Sequence, residues 1–412
     1  MKNTFFLLVL IFSATACTPI GQLYNNFGEY SESKRYSDEH LPSRLYYDRH
    51  GHLYPIAVPD KTAFRKAHAL LEQYYEENPS ELAKAFEAER VAMPTNTDSE
   101  NQFNYLQNHL LQKHLQQITN KGKDKKIVFL IHGYNNTGES ASLAMEKLRV
   151  ATLRQFPEEE FLFVEIYWDG LTKKNNKFNS SRIWDNAQVS ASYAGLGLRQ
   201  LLNGLPRGHY YAMTHSHGAA VITEALFNVR RFPKESYSDV DYMREIARRQ
   251  NEYDTPTSLF SVGMLVPAIP GDNVFDKYYN RTENKMPVTT SLKNFRFVNG
   301  FNRYDFATSK VILAHYFGST SLASKEKEHR KVQQRFNTAE VYSRVDFSEK
   351  NNHRQRSHAV KDYVAHPAFN EFLRALFRPQ PVQHKTNSIT VFKHSGKNRQ
   401  SSGCYLIGFL YR

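Results

Sequence analysis

The sequence predicts an α/β fold with a mostly parallel central sheet and helices on both of its faces. Runs of consecutive apolar residues alternate with longer segments of helical character, and strands buried on both faces of a parallel sheet have this continuous apolar pattern. A parallel sheet places its ligands at the carboxyl ends of its strands, so we expect a functional site where these runs end. The predicted strands span residues 127–131, 161–167, 209–213, 259–266 and 294–300.

The composition is that of a globular protein. The 412 residues are 40% hydrophobic and 13% aromatic, which is enough to bury a large core. The net charge is +13, but the basic residues are scattered along the chain, so we interpret them as solvated surface rather than as a nucleic-acid-binding patch. We therefore expect no nucleic-acid partner, and the sequence leaves the oligomeric state open.

Residues 1–16 have the pattern of an export signal. Lys2 supplies a positive charge, residues 5–12 form an apolar segment too short to span a bilayer, and small residues follow. The stretch Ala14-Thr15-Ala16-Cys17 resembles the lipobox of bacterial lipoprotein precursors, in which an acyl chain such as palmitate anchors the cysteine. This resemblance implies an exported protein held by Cys17 in the cell envelope, at the outer membrane or the periplasmic face. An ordinary cleaved signal that leaves Cys17 unmodified is the alternative.

Beyond the signal, composition divides the chain into four segments. The first is a polar tether after the lipidated cysteine, the second a hairpin with Gly51 at its tip followed by a helical embellishment, and the third the main domain. The fourth, C-terminal segment has no assigned role. In order, the four segments span residues 17–45, 46–123, 124–378 and 379–412. Within the second, helices are predicted over residues 62–75, 79–91 and 101–118.

The segment around Ser216 has the pattern of a nucleophile elbow. An apolar strand runs into Thr214-His215-Ser216-His217-Gly218, and a helix-forming stretch rich in small residues follows. In such a strand–turn–helix unit, a strained turn lifts the serine hydroxyl above the edge of the sheet. Thr214 stands where the G-x-S-x-G pattern has glycine, so an ordinary polar turn is the alternative. The elbow geometry would point His215 and His217 apart, which argues against a metal pair.

With a buried strand ending in His132-Gly133-Tyr134-Asn135-Asn136 upstream of this turn, the chain resembles the α/β-hydrolase family over about residues 124–378. The resemblance implies the α/β-hydrolase fold and catalytic residues in the order serine, acid, histidine. It also implies an oxyanion hole formed by the backbone N–H groups of Tyr134 and His217. No cofactor or metal is expected, and we expect His132 to be a structural residue that bridges loops.

Two segments in the C-terminal part of the chain contain the candidate acid and the candidate base. Asp305 follows the last predicted strand, where the family keeps its acid, and Asp272, after the preceding strand, is the alternative. His358 precedes the last helix of the domain, which matches the position of the family's histidine. His366 stands before a proline and reads as a turn residue, and His353 lies in a polar run.

The resemblance thus implies a serine hydrolase that cleaves an acyl or lipid ester through an acyl-enzyme on Ser216, with Asp305 and His358 completing the triad. A peptidase or an acyltransferase with the same triad stays open. A non-catalytic, surface-anchored binding lipoprotein on a hydrolase scaffold is the alternative from another functional class. Three loops are expected to be long enough to cap the site, at residues 171–184, 230–256 and 306–356.

Overall fold

A parallel sheet of seven strands runs through the part of the chain that the computed structural model describes. That part comprises residues 42–57, 70–170, 180–227, 257–271, 294–309, 320–336 and 341–377, which belong to one compact unit. Several predicted features lie outside the described residues: the signal at 1–16, Cys17, the tether up to residue 41, the first part of the helix predicted at 62–75, the loop 230–256, Asp272 and the segment 379–412.

Every neighbouring pair of strands in this sheet is parallel, and the strand order is β1-β3-β2-β4-β5-β6-β7. The five strands predicted from the sequence are confirmed, and nearly all side chains of β2 to β5 are buried, which explains their continuous apolar runs. The bounds are β1 Ser43–Tyr46, β2 Lys126–Ile131, β3 Phe161–Tyr167, β4 His209–His215, β5 Leu259–Leu265, β6 Phe295–Phe301 and β7 Tyr342–Asp346.

The helices within the described ranges are α1 Leu71–Glu77, α2 Pro79–Glu89, α3 Ser99–Lys121, α4 Gly138–Gln155, α5 Ser180–Gly204, α6 Gly218–Leu226, α7 Glu326–Phe336, α8 Val360–Val364 and α9 Phe369–Phe377. Side-chain caps mark two of their starts, since Asp98 accepts from the backbone N–H of Asn101 and Thr137 from that of Ser140. None of the described helices is long and apolar enough to cross a membrane.

Strand order explains where the site lies. The chain runs from β2 outward to β3 and then returns across β2 to β4. Because crossover connections are right-handed, the two crossover helices α4 and α5 lie on opposite faces of the sheet. The carboxyl ends of β2 and β4 therefore form the point at which strand order reverses, where open α/β sheets bind their ligands. The loop after β2 and the turn after β4 meet there.

Two edge regions differ from the sequence prediction. Strand β1 pairs with β3. The main sheet therefore begins at Ser43, inside the segment predicted as a tether, and it includes Tyr46, the first residue of the predicted hairpin. The turn itself is present, because Tyr47 and Leu53 form an antiparallel bridge around Gly51. The loop predicted at 306–356 is also wrong, since it contains α7, β7 and a short antiparallel pair, β8 Glu349–Lys350 and β9 His353–Arg354.

A buried carboxylate ties the edge strand and a crossover helix to the sheet. Glu165 in β3 is completely buried, and Arg44 of β1 donates to its Oε2 from Nε at 3.0 Å. The Nε atom of Arg149 in α4 lies 3.2 Å from Oε1, and the hydroxyl of Tyr167 donates to Oε2 at 3.1 Å. Two guanidinium groups thus share one carboxylate, which compensates their charge in largely buried surroundings.

We expect Glu165→Gln to lower the free energy of unfolding by about 3–5 kcal/mol, because the neutral amide leaves two largely buried guanidinium groups without this carboxylate. Urea unfolding followed by circular dichroism measures the change. The matched control is Glu81→Gln, which removes the partner of Lys84 in an exposed pair on α2 and should leave the free energy of unfolding nearly unchanged. Equal effects of the two substitutions would contradict the expectation.

Candidate active site

Ser216 occupies a strained turn between β4 and α6. Its backbone φ is 54°, in the left-handed region that non-glycine residues seldom adopt. The N–H of Ser216 donates to the carbonyl of Leu265 at 3.0 Å, and the N–H of Ala268 donates to the carbonyl of Ser216 at 3.0 Å. Both partners lie at the carboxyl end of β5, so the neighbouring strand holds the turn in place.

The elbow forms although Thr214 replaces the first glycine of the pattern. Strand β4 continues through His215, so Thr214 is a strand residue and not part of the turn. Space is critical at two other positions. A Cβ on Gly218 would lie 2.5 Å from the carbonyl oxygen of His132, and one on Gly133 would lie 2.9 Å from the Cβ of Ser216. The loop after β2 therefore contacts the elbow directly, and these two positions require glycine.

Asp305 and His358 form a hydrogen-bonded pair. The Nδ1 atom of His358 lies 2.8 Å from Oδ2 and 3.0 Å from Oδ1 of the completely buried Asp305. Tyr363 donates its hydroxyl to Oδ2 at 2.7 Å, and Oδ1 accepts from the backbone N–H groups of Ala307 and Thr308 and from the hydroxyl of Thr308. Burial raises the pKa of the Asp305 carboxyl, but the charge of His358 and these hydrogen bonds outweigh burial and lower the pKa below its ordinary value.

His215 connects this pair to the elbow. Its Nε2 lies 2.8 Å from the backbone carbonyl of His358, so Nε2 carries the proton and donates it, and the two imidazole rings are 4.7 Å apart. Burial and the neighbouring His358 lower the pKa of His215 to about 3, so its ring is neutral at physiological pH. Among the described contacts, no hydrogen bond joins the hydroxyl of Ser216 to His358. The structure thus brings His358 against the residue before Ser216 without linking the two functional groups.

His132 bridges two loops at the carboxyl edge of the sheet, as expected. Its Nε2 accepts from the backbone N–H of Trp168 at 3.2 Å, so Nδ1 carries the proton that is donated to the carbonyl of Gly133 at 2.7 Å. The indole N–H of Trp168 donates to the carbonyl of His132 at 3.0 Å, and the two rings are stacked. Burial lowers the pKa of His132 to about 4. Both ring nitrogens are engaged, which fits a structural role.

The two residues predicted to form the oxyanion hole share an aromatic neighbour. The ring of His217 lies 4.3 Å from that of Trp184, and the ring of Tyr134 lies 4.7 Å from it. His217 also contacts the carbonyl of Ala268 through Nδ1 at 3.1 Å, whereas His215 contacts His358, so the two histidines that flank the serine face different elements. In the described ranges, no three His, Cys, Asp or Glu side chains are grouped so that they could hold a metal ion.

The other candidates have different surroundings. The carboxylate that contacts His358 is that of Asp305, and its rival Asp272 lies outside the described residues. His353 is exposed in β9. Both ring nitrogens of His366 have backbone partners, because Nε2 contacts the carbonyl of Glu349 and Nδ1 accepts from the N–H of Ala368.

Sequence reasoning missed part of the support around the pair. The hydroxyl of Tyr363 contacts Asp305, 58 residues away in the chain. Asn302 donates to the hydroxyl of Tyr363 at 2.7 Å and to the carbonyl of Gln355 at 2.9 Å. The link from His215 to His358 was also missed. A tyrosine or a histidine at an apolar position carries no local signal for a partner so distant in sequence.

We expect the free energy of unfolding to fall as the pH falls from 6.5 toward 4. The buried His132 and His215 resist protonation when folded, so below pH 6.5 the unfolded state binds more protons than the folded state. The carboxyl of Asp305 affects stability only at lower pH. Because its pKa in the folded protein lies below 3.8, its stabilising contribution is lost only as the pH falls below that value.

Urea unfolding at pH 7.5 and pH 5 tests this expectation. His132→Asn should reduce the loss of stability between these two values by about 2 kcal/mol relative to wild type. The exposed His353→Asn is the control and should keep the wild-type slope. A His132→Asn curve parallel to that of wild type would contradict the assignment.

Comparison with known proteins supports the architecture. Residues 107–245 match the model of a family described as "Alpha/beta hydrolase of unknown function (DUF900)". This match includes the loop after β2 and the elbow, and it ends before Asp305 and His358. No curated protein and no solved structure shows significant similarity to the chain. The parallel sheet with its helices and the family match together identify an α/β-hydrolase fold.

Proposed function

We propose that this protein is a serine hydrolase that cleaves a carboxylic ester, with an acyl or lipid group, through an acyl-enzyme on Ser216. The observation that carries the proposal is the hydrogen bond between His358 and the buried Asp305, because His215 holds His358 against a strained serine turn. Asp305 occupies Nδ1 of the imidazole, which leaves Nε2 for proton exchange with the serine. A carboxylate that accepts so many hydrogen bonds is suited to holding one imidazole tautomer.

The proposed reaction follows from these positions. As the Oγ atom of Ser216 attacks the carbonyl carbon, Nε2 of His358 takes its proton, and Asp305 stabilises the imidazolium. The backbone N–H groups of Tyr134 and His217 are proposed to stabilise the negative charge that develops on the carbonyl oxygen, where each such donor contributes on the order of 3 kcal/mol to lowering the barrier. His358 then protonates the departing alcohol, and water hydrolyses the acyl-enzyme by the same steps. No cofactor takes part in this scheme.

One observation favours a second candidate, a non-catalytic binding lipoprotein. In an assembled triad, the serine hydroxyl donates a hydrogen bond to the histidine. Within the described contacts, the Ser216 hydroxyl makes no such bond to His358. Catalytic hydrogen bonds are often long before substrate binds, so this gap is compatible with an enzyme. The same chemistry at the acyl carbon would serve a peptidase, in which the leaving group is an amine. It would also serve an acyltransferase, in which the acyl group passes to an acceptor other than water.

We expect a fluorophosphonate probe to label the wild-type protein and to leave Ser216→Ala unlabelled, because the probe captures an activated serine. Asp305→Asn should slow labelling and the hydrolysis of p-nitrophenyl acetate by about 10⁴-fold, since the histidine loses its tautomer and its counter-charge. Both are measured on protein whose circular dichroism matches wild type.

Asp272→Asn is the matched control and should react as wild type does. A large loss in Asp272→Asn with none in Asp305→Asn would reassign the acid. Wild-type protein that is folded and yet neither reacts with the probe nor hydrolyses esters would favour the binding lipoprotein.

We also propose that an acyl chain on Cys17 anchors the protein to the membrane of the bacterial cell envelope. The support is the sequence Ala14-Thr15-Ala16-Cys17 behind a positively charged, apolar leader. The polar segment that follows would separate the catalytic unit from the membrane surface.

We expect Cys17→Ser to move the protein from the washed membrane fraction to the soluble fraction and to abolish incorporation of radiolabelled palmitate, because the thiol is the acylated group. Cys404→Ser, which replaces the other cysteine of the chain, should leave both readouts at wild-type levels. Unchanged membrane partitioning of Cys17→Ser would contradict lipidation.

A further inference from the structure

An exposed aromatic side chain stands beside the proposed base. Phe306 is 67% exposed, more than any other large hydrophobic side chain in the described part of the chain. Its position is held by the backbone, because its N–H donates to the carbonyl of Arg356 at 3.3 Å and the next two residues, Ala307 and Thr308, donate to Asp305. A turn hydrogen-bonded to the buried Asp305 therefore keeps an apolar ring in water.

The ring of Phe306 borders the imidazole of His358. Their centroids are 6.2 Å apart and their planes meet at 75°, an edge-to-face arrangement. Among the described contacts of this imidazole, Asp305 lies at Nδ1 and the ring of His215 lies 4.7 Å away. The side chain of His358 is 16% exposed, and Phe306 is a largely exposed apolar side chain that contacts it.

The chemistry of ester cleavage specifies what lies next to this imidazole. The departing alcohol receives its proton from Nε2 of His358, so its oxygen must come within hydrogen-bonding distance of that nitrogen. The remainder of the alcohol then occupies space beside the imidazole, and Phe306 is the exposed apolar surface found there. An apolar alcohol that covers the ring removes both surfaces from water, whereas a small or charged alcohol gains little.

We propose that Phe306 is a binding platform for the alcohol part of the substrate, and that the substrate is an ester of an apolar alcohol, either aromatic or long-chain. This inference rests on the proposed ester hydrolysis at Ser216, and it adds which half of the ester the protein selects. The acyl half would lie on the other side of the serine, away from Phe306.

Two ester series separate the halves of the substrate. In one, the acyl group is always acetyl and the alcohol is ethanol, hexanol or 2-naphthol; in the other, the alcohol is always ethanol and the acyl group grows from acetyl to octanoyl. We expect Phe306→Ala to lower kcat/KM for the hexyl and naphthyl esters about tenfold and for every ethyl ester less than about twofold. Phe306→Leu should retain most of the activity. Ile56→Ala, which removes an equally exposed side chain from the N-terminal region, should match wild type throughout.

A binding measurement makes the inference testable without turnover. In the Ser216→Ala protein, 2-naphthol should shift the NMR signals of the His358 imidazole in a saturable titration, and the double variant Ser216→Ala/Phe306→Ala should bind at least about tenfold more weakly. Saturable binding without ester hydrolysis by wild type would support the platform and reject the proposed function.

Two outcomes in the ester series would overturn the platform while ester hydrolysis stands. One is an equal loss over the whole alcohol series in Phe306→Ala, which would mean that Phe306 only positions His358. The other is a loss that follows acyl length, which would place Phe306 on the acyl side. Failure of 2-naphthol to perturb His358 in a protein whose parent hydrolyses esters would likewise reject it.

Discussion

The left-handed backbone of Ser216 is the constraint on which the rest of the site depends. Such a conformation costs on the order of 1–3 kcal/mol and persists only where its surroundings hold it. Here the end of β5 bonds both the N–H and the carbonyl of Ser216, and glycines at 133 and 218 let the loop after β2 and the start of α6 approach closely. The parallel pairing of β2, β4 and β5 therefore sets the position of the serine, and the sheet determines the conformation of the turn.

The helix behind the serine needs support at its other end. Every residue of α6 is buried, so its last carbonyl groups cannot bond to water. Arg199 of α5, itself buried, donates from Nε to the carbonyl of Ala225 at 3.0 Å and from Nη2 to that of Glu224 at 2.8 Å. A positive charge at this end also complements the helix dipole. The elbow is thus fixed from both directions, by β5 at its start and by α5 at its end.

A chain of polar contacts links the last strands of the sheet to the elbow. It runs from Asn302 through Tyr363 and Asp305 to His358 and then to His215. Each member is bonded to the next in surroundings from which most water is excluded, and networks of this kind are rigid when every member is satisfied. In the proposed mechanism, His358 is the member of this chain that exchanges a proton, between neutral His215 and ionised Asp305.

Local sequence by itself determined the central strands, whereas the order of the candidate serine, acid and histidine was implied by the family resemblance. Strands buried on both faces need continuous apolar runs, and such runs are visible without a partner. Only the tertiary structure decided the edges of the sheet, because β1 and β7 bury few side chains and lack that pattern.

The tertiary structure also decided which polar groups meet. His358 contacts Asp305 across 53 residues and His215 across 143, and it is paired strands, not spacing in the chain, that bring these groups together.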